Sequence, residues 1–180
     1  MPRVYLLTGK PGAGKTSLIK QVAADLKDRA GGFYTEEIRS QGIRLGFRLV
    51  TLDGQEAILA HVDIRSPHRV SKYGVDIAAL DRVGVAALRR AIEQSDLVII
   101  DEIGKMELFS DNFRAAVREI INGDKKVLGT IMLAPHPWAD EIKRHPQVKL
   151  VAVTRDNRQK VLADIREWLT RSGASVKEGR

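Results

Sequence analysis

The chain has no cysteine, which excludes disulfides and thiolate metal sites. Long apolar runs are missing as well. The longest, Leu97-Val98-Ile99-Ile100, falls far short of the roughly 20 residues a bilayer-spanning helix needs. The amino terminus reaches a glycine-rich segment at Gly9 and leaves no room for a signal peptide. The expectation is a cytoplasmic protein with no membrane partner. Basic residues are plentiful, 30 against 23 acidic for a net charge of +7, yet no five of them stand in a row. Nucleic acid is therefore kept as a partner but not favoured over a polyanionic small molecule. No linker and no internal repeat divides the sequence. Residues 1–171 read as one domain and 172–180 as a flexible tail.

What the sequence does have begins at its amino end. Leu6-Leu7-Thr8 runs into Gly9-Lys10-Pro11-Gly12-Ala13-Gly14-Lys15-Thr16, the Gly-x4-Gly-Lys-Thr pattern of a phosphate-binding loop. Its glycines let consecutive backbone amides turn inward onto a polyphosphate, and the helix that follows aims its amino end at the same anion. Lys15 is expected to reach the β- and γ-phosphates, and the Thr16 hydroxyl to ligate Mg2+. All eight residues, Gly9 to Thr16, are candidate nucleotide contacts.

Hydrophobic spacing predicts the rest of the fold. A strand over 3–8 is followed by a helix over 15–29, with Leu18, Ile19, Val22 and Leu26 on one face. From Gly31 to Val62 the texture alternates, with reversals at Ser40-Gln41-Gly42 and Asp53-Gly54, which predicts a small antiparallel meander. Residues 63–75 read as a basic loop and 76–94 as a helix. Buried strands at 96–101, 127–131 and 148–154 alternate with helices starting at Ser110-Asp111, Pro137 and about residue 155. The predicted class is α/β, an open and mostly parallel central sheet with the meander inserted. Trp138 and Trp168 read as packing residues.

The apolar strand at 97–100 ends in Asp101-Glu102. An Asp in that position belongs beside the loop threonine, where it binds Mg2+. Glu102 is the candidate catalytic base, a carboxylate placed to polarise a water against the γ-phosphorus. Lys15 is the second catalytic candidate, Thr16 and Asp101 are the metal candidates, and Mg2+ is the expected cofactor.

Asp101-Glu102-Ile103-Gly104-Lys105-Met106-Glu107-Leu108, taken with Gly9 to Thr16, Gly32 to Arg39 and Tyr73-Gly74-Val75-Asp76, resembles the small cancer-related nucleoside-triphosphatase family and its prokaryotic relatives. The resemblance covers about residues 3–170. It implies a three-layer, RecA-like P-loop domain that hydrolyses ATP, GTP and other nucleoside triphosphates to diphosphates with Mg2+ and loose base preference. It also implies a second nucleotide-contacting segment: Val98, Ile99, Ile100, Asp101, Glu102, Ile103, Gly104 and Lys105.

Further candidates flank these motifs. Glu36, Glu37 and Arg39 leave a strand next to the loop; Arg69, Lys72 and Tyr73 lie on a segment able to supply an internal arginine finger; Arg155 follows the last strand, where it can stack on a base. His136 and His145 sit beside prolines without metal-ligand partners and read as surface residues. Rival readings are a nucleotide or small-molecule kinase and a nucleic-acid-stimulated ATPase. A regulatory GTP switch is disfavoured by the absence of an Asn-Lys-x-Asp signature. A monomer or weak oligomer is expected.

Overall fold

The structure, a computed structural model, describes residues 1–171; the predicted tail at 172–180 lies outside them. In chain order the elements are β1 (Val4–Thr8), α1 (Lys15–Leu26), β2 (Ala30–Ser40), β3 (Ile43–Thr51), β4 (Glu56–His61), β5 (Arg69–Val70), β6 (Tyr73–Val75), α2 (Ile77–Ala79), α3 (Ala86–Gln94), β7 (Leu97–Ile103), α4 (Asp111–Asn122), β8 (Lys126–Ile131), α5 (Pro137–Lys143), β9 (Val148–Ala152) and α6 (Arg158–Arg171). The strands form one sheet in the order β5-β6-β4-β3-β2-β7-β8-β1-β9. From β2 to β9 every pairing is parallel; from β2 outward to β5 every pairing is antiparallel.

This corrects the expected sheet in two respects. Parallel and antiparallel pairings are four each, so the sheet is mixed and not mostly parallel. The antiparallel part is not a small insertion but an arm of the same sheet, and β2 joins the halves. Its residues Ala30 to Phe33 pair with β7, and Phe33 to Ser40 pair with β3. Eleven residues give β2 the length to serve both.

Alternation along the parallel strands builds a core on each face. Leu6, Val98, Ile100 and Val127 share one core with Leu88, Phe113, Val117 and Ile142 of α3, α4 and α5. Tyr5, Leu7, Ile99 and Leu128 share the other with Leu18, Val22, Val161 and Ile165 of α1 and α6. Both tryptophans pack as expected. Trp138 and Trp168 are buried, and Trp168 Nε1 donates to the Pro2 carbonyl at 2.9 Å.

Two local expectations change. The segment 63–75 carries a two-stranded ribbon, β5 and β6, too short for periodicity to reveal. The helix over 77–94 is not uniform, because a π-helical turn at Leu80–Val85 separates α2 from α3. Predicted caps fare better: the Ser110 hydroxyl accepts from the Phe113 amide at 3.0 Å and starts α4. Among the described residues no helix is long and apolar enough to cross a membrane.

Candidate active site

Parallel strands present their carboxyl ends on one edge of the sheet, where α/β folds place ligands. Here that edge collects the β1–α1 loop, the end of β7 and the end of β8. The loop turns back on itself through the Ala13 amide, which donates to the Lys10 carbonyl at 3.2 Å. Gly14 caps α1 in the left-handed region, φ 92°, and Gly9 lies at φ 150° against Val153, the residue after β9. A Cβ on Gly9 would stand 2.5 Å from the Val153 carbonyl oxygen, so only glycine fits there. Lys15 Nζ donates to the carbonyls of Gly9 at 2.7 Å and Lys10 at 3.2 Å, which holds the ammonium across the mouth of the loop.

Thr16 and Asp101 meet although 85 residues separate them. Thr16 Oγ1 donates to Asp101 Oδ2 at 2.8 Å, and Thr130 Oγ1 of β8 donates to Oδ1 at 2.6 Å. The Thr35 amide of β2 also serves this carboxylate. Asp101 is 2% exposed. Burial pushes its carboxyl above the ordinary value, and the hydrogen bonds from Thr130 and Thr16, with the Lys15 charge, pull it back. The outcome is a nearly dry carboxylate fixed by donors from three elements.

Glu102 follows across a cis peptide bond and is partly exposed. Its carboxyl is raised by burial and by the neighbouring Asp101, with Lys15 opposing. A carboxylate raised in this way is a better proton acceptor than a free one. Glu107, in the turn after β7, is 4% exposed. Burial, then the Glu102 charge, hold it well above the usual carboxylate range. Both acids border Gly104: a Cβ there would press on Glu102 Oε1 and stand 3.0 Å from Glu107 Oε2. The Gly104→Ala variant is therefore expected to fold and to swing the flexible Glu102 side chain out of place. Turnover should fall by about tenfold to 10²-fold with triphosphate affinity kept, as steady-state kinetics and calorimetric titration would report.

Glu107 also makes a pH prediction. An acid whose folded pKa is raised contributes stability that is present below its unfolded value and lost as pH rises through the folded one. Glu107→Gln removes that loss. The variant should melt higher than the parent at pH 8, by about 3 °C for each kcal/mol recovered. The two should converge as pH falls to about 4, the ordinary Glu value.

Other predicted residues are placed as follows. Val98, Ile99, Ile100 and Ile103 are fully buried in the two cores, so they supply the strand that carries Asp101 and not side-chain contacts. Lys10, Pro11, Gly12, Lys105 and Arg155 are exposed. Glu36 pairs with Lys20 at 2.5 Å, and Glu37 pairs with Arg39 at 2.7 Å and Arg44 at 3.2 Å; these are ordinary exposed ion pairs. Arg69 donates to the carbonyls of Ile64 and Lys72, while Tyr73 is buried with its hydroxyl accepting from Arg44. Arg69 and Tyr73 thus spend these hydrogen bonds on their own arm of the sheet. His136 caps α5 by accepting from the Trp138 amide. Thr130 went unnoticed in the sequence, where a threonine in Val-Leu-Gly-Thr-Ile reads as one more β-branched strand residue.

A family model described as NTPase matches residues 4–166. The chain belongs to this family. This NTPase-family chain is 48% identical over 160 residues to the nucleoside-triphosphatase THEP1 of Thermotoga sp. (strain RQ2), covering 89% of this chain and 91% of that one. It is 40% identical to the human cancer-related nucleoside-triphosphatase, covering 92% and 95%. Among solved structures, THEP1 from the hyperthermophile Aquifex aeolicus superposes with a TM-score of 0.86 at 39% identity, over 92% of this chain and 98% of that one. The family resemblance carried by the sequence motifs is the one these comparisons show.

Proposed function

We propose that this chain is a P-loop nucleoside triphosphatase of RecA-like architecture that releases phosphate from ATP, GTP and other triphosphates, with Mg2+ and little base preference. The observation that carries the reading is the junction of Thr16 with Asp101 at 2.8 Å, with Lys15 acting electrostatically on both Asp101 and Glu102. One corner thus holds an ammonium, a hydroxyl–carboxylate pair and a second carboxylate of raised basicity. The names of the relatives point the same way.

The donor set suits Mg2+. Thr16 Oγ1 and Asp101 Oδ2 are hard oxygens, and among the described residues no group of three His, Cys, Asp or Glu forms a closed metal cage. A hydroxyl and one carboxylate, with phosphate oxygens and water completing the shell, is how Mg2+ is commonly held beside nucleotides. When bound, the ion neutralises charge on the β- and γ-oxygens. The chain's own residues do the rest. The loop amides and α1 cradle the phosphates, and Lys15 compensates charge that builds on the phosphoryl oxygens. Glu102 orients a water in line with the γ-phosphorus and takes its proton as the new oxygen–phosphorus bond forms and the β–γ bridging bond breaks, the bridging oxygen leaving with the nucleoside diphosphate. Asp101, pinned by Thr130 and Thr16, keeps its orientation throughout.

A phosphate-release assay across ATP, GTP, CTP and UTP, with Mg2+ or EDTA and with no added acceptor, tests the reading. Comparable Mg2+-dependent release from all four supports it. Release that requires an added alcohol or nucleotide acceptor would make the chain a kinase. A many-fold rise with RNA or DNA at moderate salt would make it a nucleic-acid-stimulated ATPase.

A further inference from the structure

The loop strand β1 lies between β8 and β9. Its β8 side carries the chemistry described above: Thr130 on β8, then Asp101 and Glu102 on β7 beyond it. Its β9 side carries a turn that is packed just as closely on the loop. The Val153 amide donates to the Thr8 carbonyl at 2.8 Å, and Val153 lies against Gly9. Asn157 locks the turn: its Oδ1 accepts from the Thr154 amide at 2.8 Å, and its Nδ2 donates to the Ala152 carbonyl at 2.8 Å. Arg158 comes next, at the start of α6. Its guanidinium lies over Gly14, so that a Cβ on that glycine would stand 2.7 Å from Nε and 2.8 Å from Cζ. Arg158 Nε is buried and has no hydrogen-bond partner.

A buried guanidinium nitrogen without a partner is costly, and phosphate oxygens are acceptors that a guanidinium's fork fits. The triphosphate tail has two ends, and hydrolysis requires the γ-end to face Glu102 on the β7–β8 side. The opposite end, α-phosphate and ribose, then points toward β9. We infer that Arg158 grips the α-phosphate end of a bound nucleoside triphosphate, adding affinity without assisting the chemical step. This rests on the nucleotide reading of the loop given above. It also makes the contact independent of the base and common to substrate and diphosphate product, since both keep the α-phosphate.

Calorimetric titration of Arg158→Ala with ATP and with ADP tests the inference, alongside steady-state kinetics with ATP, GTP and UTP. Affinity for ATP and ADP should fall by the same factor, about tenfold. KM should rise by that factor for all three substrates, with kcat within about twofold of the parent. A fall in kcat with ADP affinity intact would put the guanidinium at the γ-phosphate and overturn the inference. So would parent-like affinity, which would leave Arg158 as packing on Gly14. If Arg158→Ala does not fold, Arg158→Lys carries the test: the ammonium cannot supply the fork, so ATP and ADP should both weaken by about threefold or more, and unchanged affinity overturns the inference. Lys15→Ala in the same titrations separates the two levels. Parent-like ATP binding by Lys15→Ala would remove the loop reading itself. Loss of ATP in Lys15→Ala beside normal binding in Arg158→Ala would remove this inference alone.

Discussion

Replacing Glu102 by Gln is expected to lower turnover by about 10²- to 10⁴-fold while triphosphate affinity stays near the parent's. The amide keeps the shape of the carboxylate and its place beside Gly104, but it cannot accept a proton from water. Because the Glu102 carboxyl is raised by burial and by Asp101, the parent should gain activity with pH as this group ionises. The variant should lose that rising limb. Single-turnover phosphate release across pH, with titration of ATP as the binding control, gives both readings. Parent-like turnover in Glu102→Gln would move the proton acceptor elsewhere, and Glu107 would be the next acid to test.

Lys15→Ala has the opposite profile. Its ammonium is a full charge held across the mouth of the loop, bonded to the Gly9 and Lys10 carbonyls. Without it the loop keeps its amides but not the cation proposed to balance the β- and γ-phosphates. ATP affinity should drop by about 10²-fold or more. ADP should lose less, because only one of the two phosphates remains. The apoprotein's melting temperature should change little, since the group is partly exposed and its hydrogen bonds go to the carbonyls of its own loop. Calorimetric titration and thermal melting together distinguish lost recognition from lost fold.

Much of this site was legible in the sequence because its parts are local. Gly9 to Thr16 is contiguous, and its glycine spacing has one stereochemical purpose. Asp101 and Glu102 end a run of apolar residues that can only be a buried strand. The alternating β3 and the Asp53-Gly54 reversal revealed the antiparallel arm. What stayed hidden depends on which strands become neighbours. Thr130 matters because β8 lies beside β7, placing its hydroxyl 2.6 Å from Asp101. Arg158 reaches Gly14 only because β9 pairs with β1. The extent of the arm was underestimated because β5 and β6 are two and three residues long, shorter than one period of any pattern. Glu107 was visible as a letter in a motif, but its burial is set by the turn that follows β7.

The pairing of β1 carries a consequence for how the protein is made. Both neighbours of that strand, β8 and β9, begin at Lys126 and Val148, long after β1 has left the ribosome. During synthesis the glycine-rich turn goes without its strand neighbours until those residues emerge, because neither β8 nor β9 yet exists to pair with β1. A chain arrested before β9 should thus be blind to nucleotide, and the competent catalyst is assembled only near the end of translation.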